Sequence, residues 1–250
     1  MAIPPKKLKK DAIAEALCEI RFECEESESF PEVVLGRLAE FGQWREFNKT
    51  RLAAADIPES IRVQDPSLKT QPVMELAARD HGRMAKIGLN LLSYHRLQPY
   101  PGWGVFKPEI DHVVDFLFGA FQSFQATRVG FRYINFLTEE DHGVRTPQDL
   151  NFSVNVADET LCTPQNLNYR VEPSEAHSAI VRIASPDFVS SPLKQQIKVF
   201  VDVDVFTRSG TAIDSAAAVK DWIEAAHTVE KLEFFRLFTP EMLDRLVEVE

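Results

Sequence analysis

The chain has 250 residues, enough for one large domain or two small ones with a sizeable core. Its formal charge of -10 and pI near 5.2 argue against wide contact with nucleic acid, which needs a locally basic face. Three cysteines, Cys18, Cys24 and Cys162, form neither a CxxC nor a Cys/His metal spacing and read as reduced thiols in a cytoplasmic protein.

Residues 1–11 read as an extended basic arm, since no uninterrupted apolar stretch follows to make a signal peptide or an anchor. No window of the chain reaches the roughly 18 apolar residues of a membrane span. Ile13 to Cys24, IAEALCEIRFEC, reads as a strand with Glu19, Arg21 and Glu23 on one face and the two cysteines on the other. Pro31 opens a helix, PEVVLGRLAEFGQW, with Val34, Leu35, Leu38 and Phe41 on its buried stripe. Ile61–Val63, Val73–Ala78 and Met84–Leu92 are strand candidates separated by turn signals. The turn Asp80-His81-Gly82 predicts a hairpin. After the stretch QPYPGWGVF, a helix is predicted over 108–124, with Ile110, Val113, Val114, Leu117, Phe118 and Phe121 on a wide apolar face.

The pattern then restarts. TRVGFRYINFL, Thr127 to Leu137, reads as a strand, and 149–156 and 168–172 as further candidates. Ala179–Ala184 and Gln196–Phe206 are stronger. IKVFVDVDVF puts Ile197, Val199, Val201, Val203 and Val205 on one face and Lys198, Phe200, Asp202, Asp204 and Phe206 on the other. A helix is expected from Ser215 to Thr228, capped by Ser215 or Asp214, and a last short one opens at Thr239-Pro240-Glu241. The fold class is α+β: antiparallel sheets with long helices packed on one face. The element order predicts two related strand–helix–strands–helix halves, 1–125 and 126–250.

Four segments, IAEALCEIRFE, LLSYHRLQPYPGW, TRVGFRYINFL and the C-terminal DVDV…AAHTVEKLEFFRLFTPEMLDRL, together carry a resemblance. In order and spacing they resemble an uncharacterised, sporadically distributed bacterial family of proteins of similar length. The resemblance implies no established activity. Sporadic distribution implies, by association only, a mobile or defence-associated setting.

Catalytic signatures are missing: there is no GxxxxGK[ST], GxGxxG, GxSxG, HExxH or kinase motif. The sharpest polar constellation joins Arg128 and Arg132 on one strand with Asp202 and Asp204 on another. Neighbours at i and i+2 on a strand stand roughly 7 Å apart on one face. Paired carboxylates there would suit a divalent metal, and paired arginines a phosphate or carboxylate. Alternatively, the Asp and Arg side chains pair across strands and fix the register. The histidines have no metal-ligand spacing and read as surface or helix-capping residues, with His227 at a helix end. His95, Tyr100 and Trp103 make either a ligand-gripping loop or the aromatic edge of a core. Phe235 and Phe238, beside Phe234, make either core or a docking surface.

Three functions follow. A non-enzymatic macromolecular interaction or accessory protein, antitoxin-like or defence-associated and partnered by another protein, fits the missing motifs and the 18 phenylalanines. A small-ligand or anion-binding module fits the arginines and aromatics. A metal-dependent nuclease or phosphoesterase would use Asp202 and Asp204. No cofactor, bound metal or membrane partner is expected.

Overall fold

A computed structural model describes residues 7–25, 30–38, 46–80, 82–121, 123–160, 166–188 and 196–248. Phe41, His81 and Cys162 lie outside the described residues. The chain is α+β with a large antiparallel sheet. Among the described residues no helix is long and apolar enough to cross a membrane. The described residues form two compact units, one of Ala16–Gly130 with Gly210–Ile223, the other of Met1–Glu15 with Phe131–Ser209 and Glu224–Glu250.

The Ala16–Gly130 unit is built on β1 (Ile13–Glu23), β2 (Phe47–Arg51), β3 (Met74–Ala78), β4 (Arg83–Ile87), β5 (Leu91–Leu97) and β6 (Gln125–Leu137). Their order in its sheet is β2-β3-β4-β5-β1-β6. Along β1, Ala16, Cys18, Ile20 and Phe22 are buried and alternate with more exposed residues, the half-buried period of two expected from the sequence. The hairpin between β3 and β4 forms, with Ala77 opposite Met84. The single strand expected over 84–92 is instead two, because the chain turns at Gly88. There the amide donates to Leu91 O at 2.8 Å, and a Cβ would stand 2.8 Å from Gln71 O. Ile61–Val63 is not a strand. It belongs to the short helix α2 (Glu59–Gln64), where Pro58 O accepts from the amides of Ile61 and Arg62.

The helix α1 (Phe30–Leu38) places Phe30 in an aromatic cluster, 4.4 Å from Phe22 and 4.9 Å from Phe121 between ring centroids. After α3 (Pro66–Lys69), the long α4 spans Trp103–Ala120, five residues ahead of the expected start at Pro108. The entry is set by Gly102 at φ 92, a left-handed value natural to glycine, whose carbonyl accepts from Val105 and Phe106. Pro108 sits inside the helix rather than opening it. Of the expected apolar face, Ile110, Val113, Val114, Leu117 and Phe121 are buried and Phe118 is half-buried, and Phe106, ahead of the expected start, is buried as well.

The Phe131–Ser209 unit orders its sheet β1-β6-β11-β10-β9, with β9 (Asn166–Val171), β10 (His177–Ala184) and β11 (Val199–Thr207). Val199, Val201, Val203 and Val205 are fully buried, and Val201, Val203 and Val205 stand opposite Ile183, Val181 and Ala179. The strand expected over 149–156 reduces to the hairpin β7 (Asn155–Val156) and β8 (Glu159–Thr160). Its turn residues Ala157 and Asp158 have φ 48 and 65. The helix expected to end at Thr228 is α6 (Ala216–Phe235), capped as predicted by Ser215 Oγ, which accepts from Ala218 N at 3.2 Å. After the single turn α5 (Glu139–His142), the last helix is α7 (Pro240–Leu246), capped by Thr239 Oγ1.

Within 1–125, β1 neighbours β5, the end of the β3-β4-β5 run, and α4 follows. Within 126–250, β6 neighbours β11, the end of the β9-β10-β11 run, and α6 follows.

Candidate functional site

The Arg/Asp constellation divides between two partners. On β6, Arg132 Nε and Nη2 donate to Asp202 Oδ1 and Oδ2 of β11, each at 2.6 Å, a fork-on-fork pair. Asp202 is 8% exposed and Arg132 36%. Burial disfavours the guanidinium's charge. Its hydrogen bonds to Asp202 and the charges of Asp202, Asp204 and Glu15 outweigh that, so its pKa is raised. Arg128 lies in the Ala16–Gly130 unit and donates to Glu19 Oε1 at 3.0 Å, the oxygen that also accepts from Arg21 Nε at 2.8 Å. The arginines are therefore held by carboxylates. Both oxygens of Asp202 are engaged, and among the described residues no group of three His, Cys, Asp or Glu side chains is arranged to hold a metal ion. Glu19 and Arg128 were both visible in the sequence, but the adjacency of β1 and β6 that pairs them was not.

Arg132→Met is expected to cost about 1–3 kcal/mol in urea unfolding. That lies between the limit of under about 1 for an exposed pair and about 3–5 for a buried one, since the arginine retains solvent contact while Asp202 does not. An unchanged midpoint would show that the pair contributes nothing to the fold.

The loop candidates differ in exposure: His95 is buried, its Nε2 2.7 Å from Ser93 Oγ, while Tyr100 and Trp103 are half-buried. Tyr100 and Trp103 set their rings edge-on against Phe106, at 6.0 and 6.4 Å. Beside them Glu109 of α4 accepts from Tyr94 Oη at 3.1 Å and from Arg96 Nε at 2.7 Å, and Arg96 Nη2 bonds its other oxygen. Glu109 escaped the sequence reading, although its place among apolar residues of a helix was the available signal.

Phe235 and Phe238 are 7% and 2% exposed and, with Phe234, form one ring cluster. They are core, not an open docking surface. Nor are the histidines all superficial: His95, His142 and His177 are buried. His142 Nδ1 accepts from Thr138 N at 3.0 Å. His227 stands inside α6, its ring 6.0 Å from Phe131 and 6.1 Å from Tyr133. Burial, with the Lys231 charge, pushes its imidazole down to about 3.

Two features were not anticipated. Glu230, one turn on from His227, is buried with Oε1 lacking a hydrogen-bond partner among the described residues. The second is a pocket of about 430 Å³ against β9, the strand at which the order of this unit's sheet ends. Leu167, Tyr169 and Val171 line it at alternate positions, joined by Phe152, Val154 and Arg236. Arg236 Nη1 donates to both oxygens of Glu233 at 2.9 and 3.0 Å. Burial, and then the Glu233 charge, raises the Tyr169 hydroxyl above its ordinary pKa, against the opposing charge of Arg236. Asn151 N donates to Leu237 O at 2.7 Å and ties the neighbouring segment to the end of α6. No protein-family model and no curated protein matches the sequence.

Proposed function

We propose that the protein acts by binding another protein rather than by catalysis, and that it does so along β9. The observation that carries this reading is a sheet edge combined with a side-chain pocket. Among the described residues the strand order ends on β9, and Leu167, Tyr169 and Val171 line one concavity from alternate positions. An extended partner segment can pair with such an edge through its backbone and set alternate side chains into the pocket. The lining favours an apolar residue, with Tyr169 and the exposed Arg236 available at the polar margin. Capture of Asp202 by Arg132 weighs against the metal-dependent reading. An accessory role is also what the resemblance to a sporadically distributed family leads one to expect.

The test places a photo-cross-linking phenylalanine analogue at Tyr169 and, as a control, at exposed Glu241 of α7. Irradiation in cells is expected to join one protein to the Tyr169 position and not to the control. A synthetic extended peptide from that protein should then compete. No adduct at Tyr169, or the same adducts from both positions, would defeat the proposal.

A further inference from the structure

In the Ala16–Gly130 unit a separate pocket of about 230 Å³ lies against β2, at the opposite end of that unit's strand order from β6. Its wall carries Lys49, Arg51 and Arg62, with Glu32 from α1 and the apolar side chains of Met74 and Leu89. The strand geometry explains the two cations on β2. Lys49 and Arg51 are two residues apart, opposite Leu76 and Met74 in the β2–β3 ladder, and so share the face that the buried side of β3 occupies.

Arg62 is the decisive residue. It is 8% exposed, yet its one hydrogen bond to the described residues runs from Nε to Ile57 O at 3.1 Å, and no carboxylate among them pairs with it. Its terminal nitrogens make no hydrogen bond to the described residues, and the residue lines the pocket. A buried cation without an anionic partner is costly, and bidentate recognition of an oxyanion is what its planar fork suits. The remaining charges set the balance. Arg51 Nε is engaged by Asp56 at 3.1 Å in an exposed pair, and Glu32 offsets one further cation. Among the described residues, three cations therefore meet two carboxylates, and one positive charge is left over.

We propose that this pocket binds a small ligand through an oxyanion, a carboxylate or a phosphate group. Arg62 grips the oxyanion from within, Lys49 and Arg51 stand at the rim, and the ligand's apolar part lies against Met74 and Leu89. Glu32 accepts from a hydroxyl or amino group on the same ligand. The volume holds an anionic group and a few carbons, not a polymer.

The test titrates the full chain at low ionic strength with inorganic phosphate and, separately, with acetate. Sodium chloride at matched ionic strength is the reference, and thermal unfolding is the readout. At least one oxyanion is expected to raise the midpoint beyond chloride and to do so saturably. The stronger of the two distinguishes a phosphate ligand from a carboxylate one. Arg62→Gln should abolish the saturable shift, and Lys49→Met should weaken apparent affinity about three- to tenfold. Lys49 is exposed, so that variant judges the proposal even if Arg62→Gln fails to fold. Shifts equal to those of chloride for both anions, or a saturable shift unchanged in Lys49→Met and in a folded Arg62→Gln, would overturn it. The β9 proposal is untouched by either result.

Discussion

Replacing Glu230 by leucine raises stability at pH 7 by about 1–3 kcal/mol, the cost usually attached to a buried polar group left without its partner. Most core substitutions destabilise, so the sign alone is diagnostic. Glu230 is 2% exposed, Oε1 has no partner among the described residues, and burial pushes its pKa well above the ordinary 4.5, with the Lys231 charge opposing. The unfolded chain releases this proton near pH 4.5 while the folded chain keeps it. Stability from this group is therefore complete below about pH 4.5 and is lost as pH rises toward the raised folded value. His227 acts in the other direction. Its folded pKa of about 3 lies below the ordinary 6.5, so its contribution is complete above about pH 6.5 and is lost as pH falls toward 3. Together these two groups favour an optimum between about pH 4.5 and 6.5. Glu230→Leu should move the optimum upward, and Glu230→Gln should remove the alkaline slope while keeping a buried amide. Urea unfolding across this range reads all three. A Glu230→Leu protein less stable than wild type at pH 7 would mean that the carboxyl has a partner worth more than its burial costs.

The same residues explain what was legible in the sequence. On β11 four valines alternate with polar and aromatic residues, because one side of the strand is fully buried and the other carries Asp202, so the period of two stands out. On α6 the buried face includes Glu230 and Glu233. Carboxylates at core positions interrupt an apolar stripe, and the helix therefore reads as ending at Thr228 rather than Phe235. Phe234, Phe235 and Phe238 could be read as a stripe, but whether a stripe meets core or solvent depends on what folds over it. The constellation was half legible: the Arg132 and Asp202 pairing followed from two alternating strands, whereas Arg128 with Glu19 required knowing that β1 lies beside β6. The pocket of Arg62 gave no signal, since it joins β2, the short helix α2 and α1, which are brought together only by the fold. The shared order of strands and helix in residues 1–125 and 126–250 remains the basis for proposing that the two halves are related.

Phe106→Ala is expected to be the most damaging single substitution in the Ala16–Gly130 unit, at about 3–5 kcal/mol, the range for removing a buried aromatic ring. Phe106 is fully buried in the first turn of α4. Its ring meets Tyr94 at 6.1 Å, Tyr100 at 6.0 Å and Trp103 at 6.4 Å, so one side chain ties β5, the Tyr100 loop and the helix start together. Truncation leaves a cavity that these rings cannot fill without moving the Gly102 entry, and that entry sets where the helix begins. Trp103 fluorescence should shift as the tryptophan gains water, alongside a lower urea midpoint. Phe106→Leu, which keeps most of the volume, should cost less than half as much. The comparison also separates the two readings of the loop. If His95, Tyr100 and Trp103 close a core, their environment collapses together with stability in Phe106→Ala. If the loop exists to grip a ligand, its rings would tolerate the loss, and stability would fall by under about 1 kcal/mol. That small effect is the outcome that would return the loop to the list of binding sites.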